Sequence, residues 1–483
     1  MEDEFANNSG VDRSLELSGA QLQQLVDLVM PYLREFVDSL SEQPAWNFDE
    51  AASVARSVME PMPTQGTAPA TVFRRLFEEL LPVGVNSAGP GYLAYVPGGG
   101  IPHAAIADLI AATANRFVGL WTGAPALAQI EVAVLRWFSD IVGYPAGAGG
   151  FFTSGGSLSI WSAIVTARRC KLPGVLSRGT LYTSDQAHHS VAKAVMFAGL
   201  PPENVRLIPV GTTHRVHVDA MRERIQHDRR DGFVPFAIVG HAGTTNTGAV
   251  DDLAALADLA AAEDLWLHVD AAYGGFFMLT ERGRGLMRGI ERADSITLDP
   301  HKSLFMPYGT GCLLARDQNH LRQAHQLRGE YLMPGPEEEF FDLSDISPEL
   351  TRTSRALRVW LPVMLHGIEP FRSNLEEKLD LTVWAADQLR RLSEELDDEL
   401  EVVTDPQLTV VVFRLVRPGL TDEQIDDLNI RLRDAINSSR RVLLTPTRLH
   451  GRYVIRICIL SFRTHRDRIE ACMEEICRAV REV

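Results

Sequence analysis

The chain has 483 residues, 45% hydrophobic and 23% charged, the make-up of a folded chain with room for two or three domains and a large core. Its 63 acidic residues against 47 Lys and Arg give a formal net charge of −16, which argues against a nucleic-acid partner and gives an anionic membrane surface nothing to hold. Residues from about 17 to 85 read as helical, because L-S-G-A-Q-L-Q-Q-L-V-D-L-V-M-P-Y-L-R-E-F-V spaces its apolar side chains three and four apart before breaks near Pro61 and Pro63. A segment of this kind, residues 1–87, makes little core alone and is expected to pack on another domain or subunit. From 88 to 370 short apolar strands alternate with helices: L-Y-T-S-D, V-R-L-I-P-V, F-A-I-V-G-H-A, L-W-L-H-V-D, S-I-T-L-D and G-C-L-L-A-R. That alternation predicts an α/β domain with a mostly parallel sheet covered on both faces. Residues 371–483 bring a long helix, the strands V-V-T-D, L-T-V-V-V-F-R-L and Y-V-I-R-I-C-I-L-S-F, and two more helices, a small α+β domain.

No apolar run approaches a membrane span, and M-E-D-E-F-A-N-N-S-G has neither the basic start nor the apolar core of a signal peptide. Cys170, Cys312, Cys458, Cys472 and Cys477 are scattered without metal-ligand spacing. Reduced thiols and a cytoplasmic location are therefore expected.

Four stretches carry chemistry. In F-F-T-S-G-G-S-L-S-I-W-S, the small residues Ser154, Gly155, Gly156 and Ser157 precede an amphipathic helix, so free N–H groups and the positive helix end form a phosphate seat. Alone, S-G-G-S is equally an ordinary capped turn. In T-S-D-Q-A-H-H-S a strand turns into a helix through His188 and His189; no acidic or thiol cluster completes a metal site, and a ring cover for a flat cofactor suits one of them better. The segment F-A-I-V-G-H-A-G-T-T through L-W-L-H-V-D is one βαβ unit that brings Thr244, Thr245 and Asp270 to the carboxyl ends of parallel strands, where open α/β sheets bind ligands. Finally, T-L-D-P-H-K-S-L-F puts Lys302 between His301 and an apolar run. A lysine there either snorkels to water or, if buried, lowers its pKa and becomes a usable amine nucleophile.

A phosphate seat, a ring cover, a strand-end carboxylate and an apolar-set amine together describe a pyridoxal-phosphate site. The stretches T-S-D-Q-A-H, G-H-A-G-T-T, W-L-H-V-D-A-A-Y-G-G and D-P-H-K stand in the order and at the spacing of the group II pyridoxal-phosphate decarboxylases, the family of the aromatic-L-amino-acid, histidine and glutamate decarboxylases, which this chain resembles along nearly its whole length. The resemblance implies a fold-type-I, aspartate-aminotransferase-like architecture and a homodimer with shared active sites, the N-terminal segment clasping the partner. It implies that Lys302 holds the cofactor as a Schiff base supported by His301, and that Asp270 pairs with the pyridinium nitrogen. Ala272 and His188 would cover the ring, with Gly155, Gly156, Ser157 and Thr245 at the cofactor or its phosphate. Where the family often has Asn this chain has Asp299, which cannot donate to phosphate, and where a bulky residue commonly follows the lysine it has Ser303. Tyr331, in R-G-E-Y-L-M-P-G-P, matches the mobile-loop tyrosine that returns a proton to Cα. Tyr95 and Pro97, in G-Y-L-A-Y-V-P, match the side-chain pocket, with Trp121 as a further wall. An aromatic L-amino acid is the expected substrate; glutamate or another polar amino acid, aldehyde synthesis, and a non-catalytic scaffold are the alternatives.

Overall fold

The computed structural model describes residues 15–172, 174, 176–327, 329–330, 339–397 and 399–483. Its centre is a seven-stranded sheet. Numbered in chain order within that sheet, the strands are β1 (Gly149–Thr153), β2 (Gly179–Ser184), β3 (Val205–Ile208), β4 (Val234–His241), β5 (Trp266–Asp270), β6 (Ser295–Leu298) and β7 (Gly311–Ala315). Their spatial order is β1-β7-β6-β5-β4-β2-β3. Strands β2 to β6 run parallel, with every residue of β5 and β6 buried, as expected of apolar strands covered by helices on both faces. Between β6 and β7 no crossover helix intervenes, so β7 returns antiparallel to β6, and β1 pairs antiparallel with β7. The loop that carries Lys302 therefore leaves β6 and re-enters β7 at one edge of the sheet, the edge where β2, β4 and β5 also end.

A second, four-stranded antiparallel sheet orders Leu400–Val402, Val410–Leu415, Arg452–Cys458 and Thr445–Leu449. The helices Glu369–Glu395, Asp422–Ser438 and Arg466–Glu482 bury Leu389, Leu432 and Ile476 in the core they share with it. Strand Thr445–Leu449 has no counterpart in the sequence reading: T-P-T-R-L is neither apolar nor alternating, and Pro446 is tolerated because the strand is an edge.

At the N-terminal end the helix Gly19–Ser39 starts from a capping box, Ser18 with Gln21, and buries none of its residues. Leu22, Leu28, Leu33 and Val37 lie exposed on it. Among the described residues no helix is long and apolar enough to cross a membrane.

Candidate active site

Where β2, β4, β5 and β6 end and the helix Gly156–Lys171 begins, a cavity of about 370 Å³ opens. The helix start is bare: Gly155, at φ +156°, offers no side-chain cap, so the first-turn N–H groups face the cavity with the exposed hydroxyls of Ser154 and Ser157 beside them. Glycine fits closely at 156, because a Cβ there would stand 2.8 Å from Asp299 Oδ2 and 3.3 Å from the Ala272 Cβ.

Lys302 reaches into this cavity with its side chain one-quarter exposed, and its Nζ lies 3.0 Å from Asp299 Oδ2. Burial pushes the lysine pKa down, but the charges of Asp299 and Asp270 outweigh it and leave the pKa above the ordinary value. The expectation of a depressed lysine pKa is thus corrected: apolar neighbours in sequence are not the neighbours of Nζ in space. Asp299, 1% exposed, keeps Oδ1 buried without a hydrogen-bond partner among the described residues. His301 donates from Nδ1 to the Thr310 carbonyl at 2.8 Å, which turns Nε2 toward Asp299 Oδ2, 3.7 Å away. Ser303 is buried and donates to the Tyr273 carbonyl at 2.7 Å, filling the place of a bulkier residue with a tie to the loop after Asp270.

Asp270, the last residue of β5, accepts from the Ala272 N–H at 3.2 Å through Oδ1 and lines the cavity. His188 accepts from the Ser190 N–H at Nδ1 (3.3 Å), and burial lowers its pKa. Thr244, Thr245 and Ala272 complete that side.

The structure does not bring every expected residue to the cavity. Tyr95 is exposed at φ +52°, Pro97 is buried in the adjoining loop, and Trp121 stacks on Phe340 with ring centroids 4.5 Å apart; none of the three lines the cavity of its own chain. That loop nevertheless abuts the lysine, since a Cβ on Gly98 would stand 2.0 Å from the His301 carbonyl oxygen. Tyr331 lies outside the described residues. Some residues escaped the sequence reading, Tyr308 and Arg456 among them. Tyr308 borders the cavity with its ring 5.8 Å from that of His301. Arg456, buried in the C-terminal sheet, donates to the Thr245, Asn246 and Tyr95 carbonyls and ties that sheet to the cavity wall. An arginine inside the apolar run Y-V-I-R-I-C-I was its signal.

The bare helix start fits a phosphate, the glycine cradle and the surfaces of His188 and Ala272 fit a flat ring, Asp270 fits a ring nitrogen, and Lys302 supplies the amine for an aldehyde. The fold and this donor set define a pyridoxal-phosphate enzyme of fold type I. The sequence places it further: residues 65–416 match the model of the pyridoxal-dependent decarboxylase conserved domain, and the chain belongs to that family. It is 32% identical to the aromatic-L-amino-acid decarboxylase of Bacillus atrophaeus, across 98% of each chain, and 26% identical to tryptophan decarboxylase 2 of Oryza sativa subsp. japonica, across 98% of this chain and 97% of that protein. The crystal structure of Oryza sativa TDC with PLP and tryptamine superposes with a TM-score of 0.91 at 26% identity, covering 97% of this chain and 99% of that one. The chain is a pyridoxal-phosphate-dependent amino-acid decarboxylase.

Proposed function

We propose that this decarboxylase acts on an aromatic L-amino acid and releases CO2 and the corresponding amine. The observation that carries the reading is the end-to-end match, at 32% identity, to an aromatic-L-amino-acid decarboxylase. Tyr308 at the cavity border adds an aromatic surface suited to an aromatic side chain.

Bound pyridoxal phosphate supplies an aldehyde that links covalently to an amine and a ring that draws electron density from Cα as CO2 departs. The chain's own residues make that chemistry possible. The uncapped start of the helix Gly156–Lys171 and the Ser157 hydroxyl hold the phosphate. Asp270 would pair with the ring nitrogen. Lys302 would anchor the cofactor through its amine, and Asp299, 3.0 Å from Nζ, would keep that amine's proton within reach. His188, its pKa lowered by burial, would cover the ring. Tyr331 returns the proton to Cα.

The same reading makes the protein a cytoplasmic homodimer in which residues 1–87 form a clasp, 88–370 the cofactor domain and 371–483 the small domain. The apolar side chains that the helix Gly19–Ser39 leaves exposed support it, since a second subunit would cover them. A second reading, decarboxylation coupled to aldehyde formation, has a specific observation in its favour: the Arabidopsis thaliana phenylacetaldehyde synthase is 26% identical over 92% of this chain. Tyr331 favours the amine, because prompt return of the proton leaves nothing for oxygen to intercept. The test is a screen of the L-amino acids, glutamate included, with CO2, amine, aldehyde and hydrogen peroxide measured side by side. Equimolar CO2 and amine from an aromatic substrate are expected. Aldehyde with peroxide would establish the second reading, and turnover of polar amino acids alone would overturn the aromatic one.

A further inference from the structure

His241, the last residue of β4, has no part in the site described so far. It stands in register with Asp270 on β5, so the two side chains share one face of the sheet, and it lines the cofactor cavity while only 2% exposed. The chain then folds back through a bridge between Ala242 and Val250 and returns Asp251 to the same spot. Asp251 Oδ2 accepts from the His241 backbone N–H at 2.9 Å and lies 3.2 Å from its Nδ1, while Oδ1 accepts from the Val216 N–H at 2.8 Å. A carboxylate so placed leaves Nδ1 as the ring's donor. The opposite nitrogen, Nε2, is buried and has no hydrogen-bond partner among the described residues.

The contrast with His268 is informative. Also on β5 and on the same face as Asp270, His268 has both ring nitrogens taken, by Ser295 Oγ at 2.9 Å and Thr297 Oγ1 at 3.2 Å. Burial drives its pKa down to about 4, so it is neutral. Burial opposes a charge on His241 as well, but the Asp251 hydrogen bond and the charges of Asp251 and Asp270 outweigh it and raise its pKa. The charged and titratable groups around His241 are Asp251 from the loop before the helix Leu253–Ala262, Asp270 and His268 from β5, and, elsewhere around the cavity, His188, Asp299 and Lys302.

We infer that His241 is a positioning residue for Asp270: anchored on Asp251 and in register with Asp270 on the same face of the sheet, it places an ionisable ring beside the carboxylate that meets the cofactor ring and so tunes how strongly that end of the site holds a proton. The inference rests on the reading that Asp270 faces the ring nitrogen. A positive charge on that ring offsets two buried carboxylates, Asp251 and Asp270, so a variant that cannot carry it leaves the site more negative and the bound cofactor more basic.

The experiment is a pH titration of the visible absorption of the holoenzyme, with the cofactor dissociation constant, for the wild type, His241→Gln, His241→Leu and Asp270→Asn. Both His241 variants should move the titration midpoint upward by about one pH unit, because each lacks the charge, whatever its hydrogen bonding. A residue that only fills space would lower the melting temperature and leave the midpoint in place; unchanged midpoints in the His241 variants, alongside an altered Asp270→Asn, would overturn the inference alone. An Asp270→Asn holoenzyme with the wild-type titration would instead overturn the assignment of Asp270. Should His241→Leu fail to fold, the closer isostere His241→Gln decides the matter by itself.

Discussion

Lys302 keeps a raised pKa in a place where burial by itself would strip its charge, and the reason is the pair of carboxylates it meets there. One of them, Asp270, answers to a simple test. Asp270→Asn keeps the shape and removes the charge, so kcat should fall at least a hundredfold with looser cofactor retention; kcat and the cofactor dissociation constant are the measurements, and a loss under tenfold, about 1.4 kcal/mol, would make Asp270 structural. Both residues were legible in the sequence because each sits in a stretch whose chemistry is local: a carboxylate closing L-W-L-H-V-D, an amine in D-P-H-K. The pairing of Lys302 with Asp299 was not, although they stand three residues apart, because the turn that brings Nζ back over the carboxylate is set by β7 returning antiparallel. His241 was hidden for a similar reason. Its partner Asp251 is ten positions on, and only the tight return through Ala242 and Val250 makes them neighbours.

At the scale of elements, the start of the helix Gly156–Lys171 is built around an absent side chain. Gly156→Ala would thrust a methyl to within 2.8 Å of Asp299 Oδ2, in a wall of the cavity, without disturbing the backbone of the helix. Cofactor affinity should fall by about tenfold, roughly 1.4 kcal/mol, while the melting temperature of the cofactor-free protein stays near that of the wild type; calorimetry with and without pyridoxal phosphate separates the two. The buried strands β4 to β6 were legible because parallel strands covered on both faces read as apolar runs. Strand β1 was visible only as the approach to S-G-G-S, and Thr445–Leu449 not at all, since an edge strand needs no apolar pattern. Trp121, expected as a pocket wall, has its ring stacked on Phe340 within its own chain.

For the molecule as a whole, buried His268 makes the fold sensitive to acid. The pKa of His268 is about 4 in the fold against about 6.5 in an unfolded chain, so the unfolded state binds more protons between those values, and stability is lost as pH falls through that window. Between pH 7 and pH 5 the expected loss from this residue is roughly 2 kcal/mol. His241 works in the other direction, since its raised pKa contributes stability at low pH that fades as pH rises through the folded value. Urea midpoints at pH 7 and pH 5, at one protein concentration, should show the loss, and His268→Gln should shrink the difference between them; an undiminished difference would assign the acid sensitivity elsewhere. The order of the strands has a further consequence, for the path by which the chain assembles. Strands β4, β5 and β6 are consecutive in sequence and adjacent in space, so Asp270 and the root of the lysine loop can come together through closures of modest length. Strand β1, which leads into the phosphate seat, joins only at the far edge, where Thr153 pairs with Gly311. That is the longest chain closure in the sheet, so the phosphate seat is expected to join the lysine and the carboxylate late in folding, with cofactor binding following completion of the sheet.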